Sequence, residues 1–436
     1  MSGHFASLRR YLPALLTGQL ANRTQPLEDP EADSFQAIVM FADISGFTAL
    51  TETMTRDNPE GADALVEILD DYLGRLIDII ILWGGDIVKF AGDAVFALWR
   101  LPENETMADM TYRTTRCALA IQAALHQFEV APGVRLSLKI SLGAGKLQSL
   151  LLGGTFDRWE LLMMGHPMVQ VGIGGNRARP GEVVISPQAS KLLFEHGIGR
   201  RGEEAGRLLL KRSYRTPARF VPAVPVVLPE AETLLLNLIP RAILTLVNDR
   251  TGVTSGLHQI TVIFLNVRDM SYDTPLDEMQ RIMTVMQNCL YRYHGSINRF
   301  GVDDKGAVLL AGFGLPPFQG TDDPEKAVLA ALDLHRELAR IGHDCSIGIT
   351  TGKVFCGPVG NSRRSEYTVH GAKVNLAARL MMAAETILCD AATYMMATTL
   401  PFDQVPPLQV KGRADPVEVY RPIDRRKADR PLEPVV

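Results

Sequence analysis

The fold is decided by the stretch GGDIVKFAGDAVFALW, which occupies residues 84–99. Within it, β-forming residues at 87–90 and 95–99 flank a tight turn at 91–93, a pattern that predicts a β-hairpin. The two glycines that open the stretch end a preceding helix. That helix is predicted by apolar residues at helical spacing over residues 65–80.

Strands and a second helix surround this unit in a regular order. The segment AIVMFADISGF at residues 37–47 contains an apolar strand that ends at Asp43. After the hairpin, a helix is predicted over about 107–128 and a strand over 136–143. The order β-α-β-β-α-β predicts an α+β fold, a ferredoxin-like core with its helices on one face of the sheet.

The chain repeats this pattern in its second half. The matched blocks are residues 37–47 with 260–270, 84–99 with 295–313, 139–147 with 346–354, and 165–173 with 371–379. The offsets are nearly constant, from 206 (371 minus 165) to 211 (295 minus 84). Such a period is far too long for a solenoid, so we predict two homologous domains forming a pseudo-twofold heterodimer within one chain.

Domain limits follow from the repeat and from composition. We predict an N-terminal segment (1–34), a first domain (35–200), a linker (201–257), a second domain (258–423) and a tail (424–436). Four prolines within 216–230 favour an extended connector. The N-terminal segment is a candidate short helix packed between the domains. The tail resembles a disordered end or the cut end of a longer protein with a regulatory region.

Composition excludes several functions. The chain has 436 residues, is 46% hydrophobic and carries a net charge of -4, which argues against a non-specific nucleic-acid binder. Its five cysteines are scattered without a C-x-x-C pair, so a zinc cluster or a disulfide framework is not expected. The most apolar stretch, 76–83, contains Asp78 and falls short of the ~20 residues that span a bilayer. We therefore expect a soluble cytoplasmic protein without a membrane span.

Two aspartates suggest a metal site. Asp43 ends the first strand and Asp93 lies in the hairpin turn, so their carboxylates are expected to converge at one end of the sheet. Hard divalent ions such as Mg²⁺ prefer such oxygen ligands, with phosphate and water completing the shell. A turn residue and a helix N-cap would account equally well for an isolated pair. The next residues resemble a phosphate cradle opening a helix, although alone this signal is weak: Ser45, Gly46, Phe47 and Thr48.

Four motifs together resemble those of the class III nucleotidyl cyclases. They are FADISGF, KFAGDAVFALW, EYTVHGAKVNLAAR and VKGRADPVEVY, and the similarity spans about residues 35–423. Within that family, the chain is most similar to the bicarbonate-regulated soluble adenylyl cyclases, which carry two cyclase domains in tandem. The resemblance implies conversion of ATP to cyclic AMP and pyrophosphate.

The resemblance also implies roles for individual residues. Asp43 and Asp93 would hold two Mg²⁺ ions, for which Mn²⁺ can substitute, with help from the Ile44 carbonyl. Asn375 would orient the ribose, and Arg379 would stabilise charge on the α-phosphoryl group. Lys139 matches a basic family position near the triphosphate and would equally suit a surface strand.

The base is expected to be read by two residues of the second domain. Thr368 matches the adenylyl type of the family, whereas Arg299 stands where the family has Lys. Arg still donates to a ring nitrogen but cannot replace Lys freely. Adenine stays favoured over guanine, because nothing acidic faces the guanine N1 and N2 donors.

The two halves have lost opposite parts at matched positions. The second domain has Asn266 where the first has Asp43. The first domain has Val169 and Ile173 where the second has Asn375 and Arg379. The matched pattern predicts one composite site at the domain interface and one degenerate site.

Regulation is expected to depart from that of the bicarbonate-regulated members of the family. Lys89 matches the lysine of the family's bicarbonate pocket, but the arginine position falls on Gly172, so weak or absent bicarbonate stimulation is expected. The alternative is a degenerate pair that binds nucleotide or a partner without efficient turnover. A guanylyl cyclase is a less favoured reading.

Overall fold

The structure, a computed structural model, consists of two β-sheets with helices packed against them. The described residues are 3–46, 61–194, 206–208, 227–240, 243–245, 255–303, 306–410 and 415–425. Within them each half of the chain forms one eight-stranded sheet. The α+β class and the two-domain architecture predicted from the repeat are therefore confirmed.

The first half begins with short helices and continues into its sheet. Its helices are α1 (Gly3–Leu8), α2 (Ala14–Leu20), α3 (Gly61–Leu82), α4 (Met107–Leu125), α5 (His166–Arg177), α6 (Pro187–Phe194) and α7 (Pro229–Leu236). Its strands are β1 (Glu31–Ser45), β2 (Asp86–Ala91), β3 (Ala94–Arg100), β4 (Phe128–Ala131), β5 (Val134–Gly153), β6 (Trp159–Met164), β7 (Val183–Ile185) and β8 (Gly206–Leu208). The strand order is β2-β3-β1-β5-β7-β8, with β4 and β6 paired to β5.

The second half repeats this arrangement. Its helices are α8 (Leu276–Arg292), α9 (Asp323–Arg340), α10 (Ala372–Ala383) and α11 (Ala391–Met396). Its strands are β9 (Gly256–Val267), β10 (Ser296–Asp303), β11 (Gly306–Phe313), β12 (Cys345–Gly360), β13 (Ser365–His370), β14 (Ile387–Asp390), β15 (Phe402–Leu408) and β16 (Val417–Pro422). The order β10-β11-β9-β12 matches β2-β3-β1-β5 of the first half, and β13 pairs with β12 as β6 pairs with β5.

The predicted β-α-β-β-α-β order is present in each half, with one local difference. β3 lies between β1 and β2, as in a ferredoxin-like sheet. Helix α4 ends at Leu125 rather than near residue 128. Gln127 takes a left-handed φ of 55° and Phe128 pairs with Leu136 in an antiparallel ladder, which ends the helical run.

The core of the first domain forms where α3 packs on the sheet. The buried face of α3 includes Leu73 and Leu76, which meet sheet residues such as Met40. Burying an aliphatic side chain of this size stabilises the fold by ~1.5–3 kcal/mol. A Cβ at Gly85 would lie 2.5 Å from the Trp99 ring, so the glycine that ends the helix also admits the indole.

The two domains exchange hairpins across their interface. Phe355 and Val359 of β12 pack in the core of the first domain. Reciprocally, Leu150 and Leu162 from the β5–β6 hairpin pack in the core of the second domain. Each domain thus completes the other's core, and residues of both domains meet along one pseudo-twofold interface.

The N-terminal segment packs between the domains, as expected. Phe5, Leu8 and Leu16 are buried in one apolar cluster with residues of both sheets and of α7. The Asp86 carboxylate of β2 accepts hydrogen bonds from the backbone N–H groups of the first two residues of α2, at 2.9 and 2.7 Å. It therefore caps the positive end of that helix.

The predicted domain limits stay predictions. The first sheet begins at Glu31, inside the predicted N-terminal segment, because β1 continues its pairing with β5 as far as Leu151. The short strand β8 lies in the predicted linker. The five cysteines are buried free thiols. Among the described residues, no helix is long and apolar enough to cross a bilayer.

Candidate active site

Asp43 and Asp93 converge at one end of the first sheet. Asp43 lies in β1 opposite Ala94 of β3, and Asp93 precedes Ala94 in the turn. The Ile44 N–H donates to the Asp93 carbonyl at 3.3 Å. Burial and the neighbouring charge of Asp43 raise the pKa of Asp93 to about 7. The two carboxylates therefore face the same space, as the sequence predicted.

A positive charge already lies against this pair. Lys139 stands opposite Asp43 in the β1–β5 ladder, and its Nζ is 2.7 Å from Asp43 Oδ2. The ammonium shows that a cation fits beside the carboxylate. Elsewhere in the described part of the chain, no group of three or more His, Cys, Asp or Glu side chains could hold a metal ion. Two carboxylates and a backbone carbonyl suit Mg²⁺, which takes its remaining ligands from phosphate and water.

The predicted phosphate cradle is described in part. Ser45 ends β1, and its Oγ is buried without a hydrogen-bond partner among the described residues. Gly46 has φ of +98°, which a residue with a side chain rarely adopts. A buried unsatisfied hydroxyl costs about 1–3 kcal/mol, so an incoming ligand oxygen would relieve a cost at this turn. Phe47 and Thr48 lie outside the described residues.

Strand β13 of the second domain lies against the hairpin that carries Asp93. We call β2 and β3 with their turn the Asp93 hairpin. Glu366, Thr368 and His370 alternate along β13 and therefore share one face. A carboxylate oxygen of Glu366 accepts from the Phe90 N–H at 3.2 Å. The His370 Nδ1 lies 3.2 Å from the position that a Cβ on Gly92 would take.

The two predicted base-reading residues come from neighbouring strands. Thr368 is buried in β13, and Arg299 lies in β10 with its guanidinium 5.8 Å from the ring centre of Phe264. Asn298 donates from Nδ2 to the Tyr367 carbonyl at 2.9 Å, which holds β10 beside β13.

Arg299 also connects the two halves electrostatically. Burial is the main cause of the raised pKa of Asp93, and the positive charge of Arg299 acts against it. Burial, together with a smaller effect of the Arg299 charge, lowers the pKa of His370 to about 4. Arg299, Asp93 and His370 thus lie within electrostatic reach of one another across the domain interface.

Asn375 and Arg379 lie on the helix that follows β13. Helix α10 begins one residue after Gly371, and the Asn375 N–H donates to the Gly371 carbonyl at 3.1 Å. The two side chains are i, i+4 and share one helix face, and both are half-buried. Neither the Asn375 side chain nor the Arg379 side chain forms a hydrogen bond or an ion pair with another residue that the structure describes. They are therefore available to a ligand near the start of α10.

The structure brings four of the predicted site residues within interaction range of one another. Asp43, Asp93 and Lys139 form the first-domain side of this region, and Arg299 reaches it from the second domain. Glu366 and His370 were not predicted. Their alternation with Thr368 predicts that the three side chains share one face of a strand. The sequence does not indicate which hairpin packs against that face.

Lys89 lies beside this region, in a cavity whose wall also includes Arg299 and Glu366. This cavity of ≈ 360 Å³ lies between the domains, and Lys89 donates from Nζ to the Phe300 carbonyl at 3.1 Å. Burial lowers the pKa of Lys89, whereas burial raises the pKa of Glu160 in the same wall to about 7. Gly172 lies exposed on α5, and a Cβ there would meet nothing within 4 Å.

A family profile described as the adenylate and guanylate cyclase catalytic domain matches residues 31–204 and 306–421. The chain therefore belongs to the class III nucleotidyl cyclases and carries two catalytic-domain segments in tandem.

Its curated relatives are similar over nearly the whole chain. Adenylate cyclase type 10 of Rattus norvegicus is 31% identical over 433 residues, 90% of this chain. The Homo sapiens protein of the same name is 30% identical over 433 residues. The chain spans 27% of the length of these relatives. A class III adenylyl cyclase-like ATP-binding protein from Pseudomonas aeruginosa shares the fold, with a TM-score of 0.57, 13% identity, and coverage of 88% of this chain and 92% of that chain.

Proposed function

We propose that the protein is an adenylyl cyclase with one composite active site at the domain interface. The observation that carries the proposal is the meeting of the two halves. Asp43 and Asp93 of the first domain face a space that Arg299 reaches from the second domain. The helix bearing Asn375 and Arg379 begins beside the same turn, through the contact of His370 with Gly92. The relatives named as adenylate cyclases support it.

The reaction is an in-line displacement at phosphorus. The ribose 3′-oxygen attacks the α-phosphorus, a new O–P bond forms, and the bond from that phosphorus to the bridging oxygen breaks to release pyrophosphate. When bound by Asp43, Asp93 and the Ile44 carbonyl, two Mg²⁺ ions supply activation of the attacking oxygen and neutralise phosphate charge. The protein contributes orientation and charge stabilisation rather than covalent chemistry.

Each chain residue has a defined task in this scheme. Asn375 donates to the ribose and orients its 3′-oxygen, while Arg379 stabilises the charge that develops on the α-phosphoryl group. Lys139, which is paired with Asp43 in this structure, would serve as a cation for the triphosphate if Asp43 held a metal ion. Asp43 is one acceptor for the 3′-hydroxyl proton, and water or phosphate is the other.

Adenine is the base that the second domain favours. Thr368 offers a hydroxyl and Arg299 offers guanidinium donors, which match the acceptor nitrogens of adenine. Glu366 lies on the same face of β13 as Thr368, but its carboxylate is already bonded to the Phe90 N–H and to Arg364, so we propose that it does not serve the donor edge of guanine. The planar fork of Arg299 is larger than a lysine ammonium, which lowers the expected efficiency.

Bicarbonate is proposed to have little or no effect. Lys89 lines the cavity of ≈ 360 Å³ between the domains. Gly172 has no side chain at the position where the family's bicarbonate pocket has an arginine. Glu160 already places a carboxyl group in the wall of that cavity. Arg299, Arg364 and Glu366 also line this cavity, so the proposal rests on the missing family arginine rather than on the net charge of the wall. The cytoplasmic location expected from the sequence stays a prediction.

The second candidate is a cyclase-like pair that binds ATP without efficient turnover. Arg299 in the lysine position favours it, and the structurally similar Pseudomonas aeruginosa protein is named as ATP-binding. The retained set of Asp43, Asp93, Asn375 and Arg379 favours the enzyme.

Product analysis separates the two candidates. Purified protein is incubated with ATP or GTP and with Mg²⁺ or Mn²⁺, and the cyclic nucleotides are resolved by chromatography. We expect cyclic AMP from ATP in excess of cyclic GMP from GTP. Metal-dependent nucleotide binding without any cyclic product would establish the second candidate instead.

A further inference from the structure

We propose that His370 is a positioning residue that holds the Asp93 hairpin in place relative to helix α10, which carries Asn375 and Arg379. The inference rests on the proposed function and deepens it, because it names the contact that brings the two halves of the site into register.

The contact itself is close and buried. Gly92 has φ of +71°, and a Cβ built there would lie 3.2 Å from His370 Nδ1 and 3.7 Å from Cε1. His370 is 9% exposed, so the ring fills the space beneath the turn rather than pointing to solvent. The turn residue next to Gly92 is Asp93. A change in the volume of the imidazole therefore moves the backbone that carries a metal-binding carboxylate.

The same residue is tied to the other half of the site. His370 ends β13, where it pairs with Phe355 of β12, and Gly371 follows it directly. The Gly371 carbonyl accepts the Asn375 N–H in the first turn of α10. Only one residue separates the imidazole from the helix bearing Asn375 and Arg379. Movement at His370 is thus transmitted to both sides of the proposed nucleotide.

A second anchor holds the strand at its other end. Glu366 accepts the Phe90 N–H at 3.2 Å, and Glu366, Thr368 and His370 share one face of β13. Two contacts to the Asp93 hairpin therefore flank Thr368. The spacing between the proposed base-reading residue and Asp93 is fixed on both sides.

The repeat provides a matched internal control. With the offset of 206 residues between the final blocks, His370 corresponds to Met164 at the end of β6. Met164 is 1% exposed and belongs to an apolar cluster with residues of the second domain. Asn266 replaces the first aspartate in that half. A buried side chain of similar size thus occupies the matched position on the first domain, where it packs against the half that lacks the metal pair.

The test measures Mg²⁺ dependence in three variants of the full chain. Binding of α,β-methylene-ATP, which cannot be cyclised, is followed by calorimetry as a function of Mg²⁺, and kcat and KM for ATP are measured at saturating Mg²⁺. For His370→Ala we expect the half-saturating Mg²⁺ concentration to rise about tenfold and kcat to fall about tenfold or more, with KM changed less than about threefold. His370→Gln, which refills the space, should restore both values to within about threefold of the wild type.

Met164→Ala separates positioning from stability. It should lower the unfolding temperature about as much as His370→Ala while leaving the Mg²⁺ dependence unchanged. The inference is overturned if His370→Ala keeps the wild-type Mg²⁺ dependence, or if Met164→Ala shifts it equally. Intact Mg²⁺-dependent binding without cyclic product would refute the proposed enzyme alone. A wild-type protein without any Mg²⁺-dependent binding would refute both.

Discussion

Arg364 offers a sharp test of how the interface is held together. It is 4% exposed, and its Nε donates to the Ile87 carbonyl of β2 at 2.8 Å. Its Nη2 lies 3.1 Å from a Glu366 carboxylate oxygen, and its Nη1 is 3.5 Å from the Arg10 carbonyl of the N-terminal segment. One guanidinium therefore connects the second domain, the Asp93 hairpin and the N-terminal segment.

Replacing Arg364 by Met keeps much of the side-chain volume and removes every one of these bonds. The Glu366 carboxylate then loses the guanidinium bonded to it in a largely buried place, and only the Lys89 charge remains within electrostatic reach. Removing one partner of a buried ion pair costs about 3–5 kcal/mol. Since the Glu366 side chain is 19% exposed, we place the expected loss near the lower end, at about 3 kcal/mol.

Urea unfolding at pH 7.5 measures this loss directly. The double variant Arg364→Met/Glu366→Gln also removes the negative charge of Glu366. It should recover about 1–2 kcal/mol of the unfolding free energy that the single variant loses. At a temperature where Arg364→Met is folded, cyclic AMP formation should still fall by about tenfold, because the Asp93 hairpin has lost an anchor. A single variant within about 1 kcal/mol of the wild type would refute the reasoning, since that is the value of an exposed pair.

Three further outcomes are expected. The pKa of Glu160 is raised from 4.5 to about 7, so the folded state binds the proton more tightly and stability falls as pH rises between these values. Glu160→Gln should therefore match the wild type near pH 4.5 and exceed its unfolding free energy at pH 8 by up to about 3 kcal/mol in urea titrations, whereas equal curves would refute the assignment. Gly92→Ala places a Cβ 3.2 Å from His370 Nδ1 at a residue whose φ is +71°. The variant should lose at least about 1–2 kcal/mol of unfolding free energy in thermal unfolding and should form less cyclic AMP. Unchanged values would contradict the contact between Gly92 and His370. Arg299→Lys should raise kcat/KM for ATP relative to GTP about threefold or more in steady-state assays, and a fall in that ratio would remove Arg299 from base recognition.

The hairpin and the repeat were predictable because their signals are local. A turn between two β-forming runs fixes the Asp93 hairpin wherever it lies in the fold. The convergence of Asp43 and Asp93 followed from the same pattern, since strand β1 and the hairpin turn meet at one edge. The end of α4 at Leu125 depends on the left-handed backbone at Gln127, which no local pattern indicates.

The interface contacts were not predictable in the same way. Glu366 and Phe90 are 276 residues apart, and no local pattern relates them. Lys139 was expected near the triphosphate, but its contact with Asp43 depends on the β1–β5 register. The role of Asp86 in capping α2 likewise depends on how the N-terminal segment packs.

The composite site is tested most directly by one comparison of cyclic AMP formation. Asp93→Ala removes a carboxylate of the first domain, Arg379→Ala removes the guanidinium of the second, and Ile173→Ala changes the exposed residue that matches Arg379 in the other half. We predict that the first two variants, folded by circular dichroism, lose product by about a hundredfold or more and that the third keeps wild-type turnover. Undiminished product from folded Arg379→Ala would contradict a site shared between the two halves.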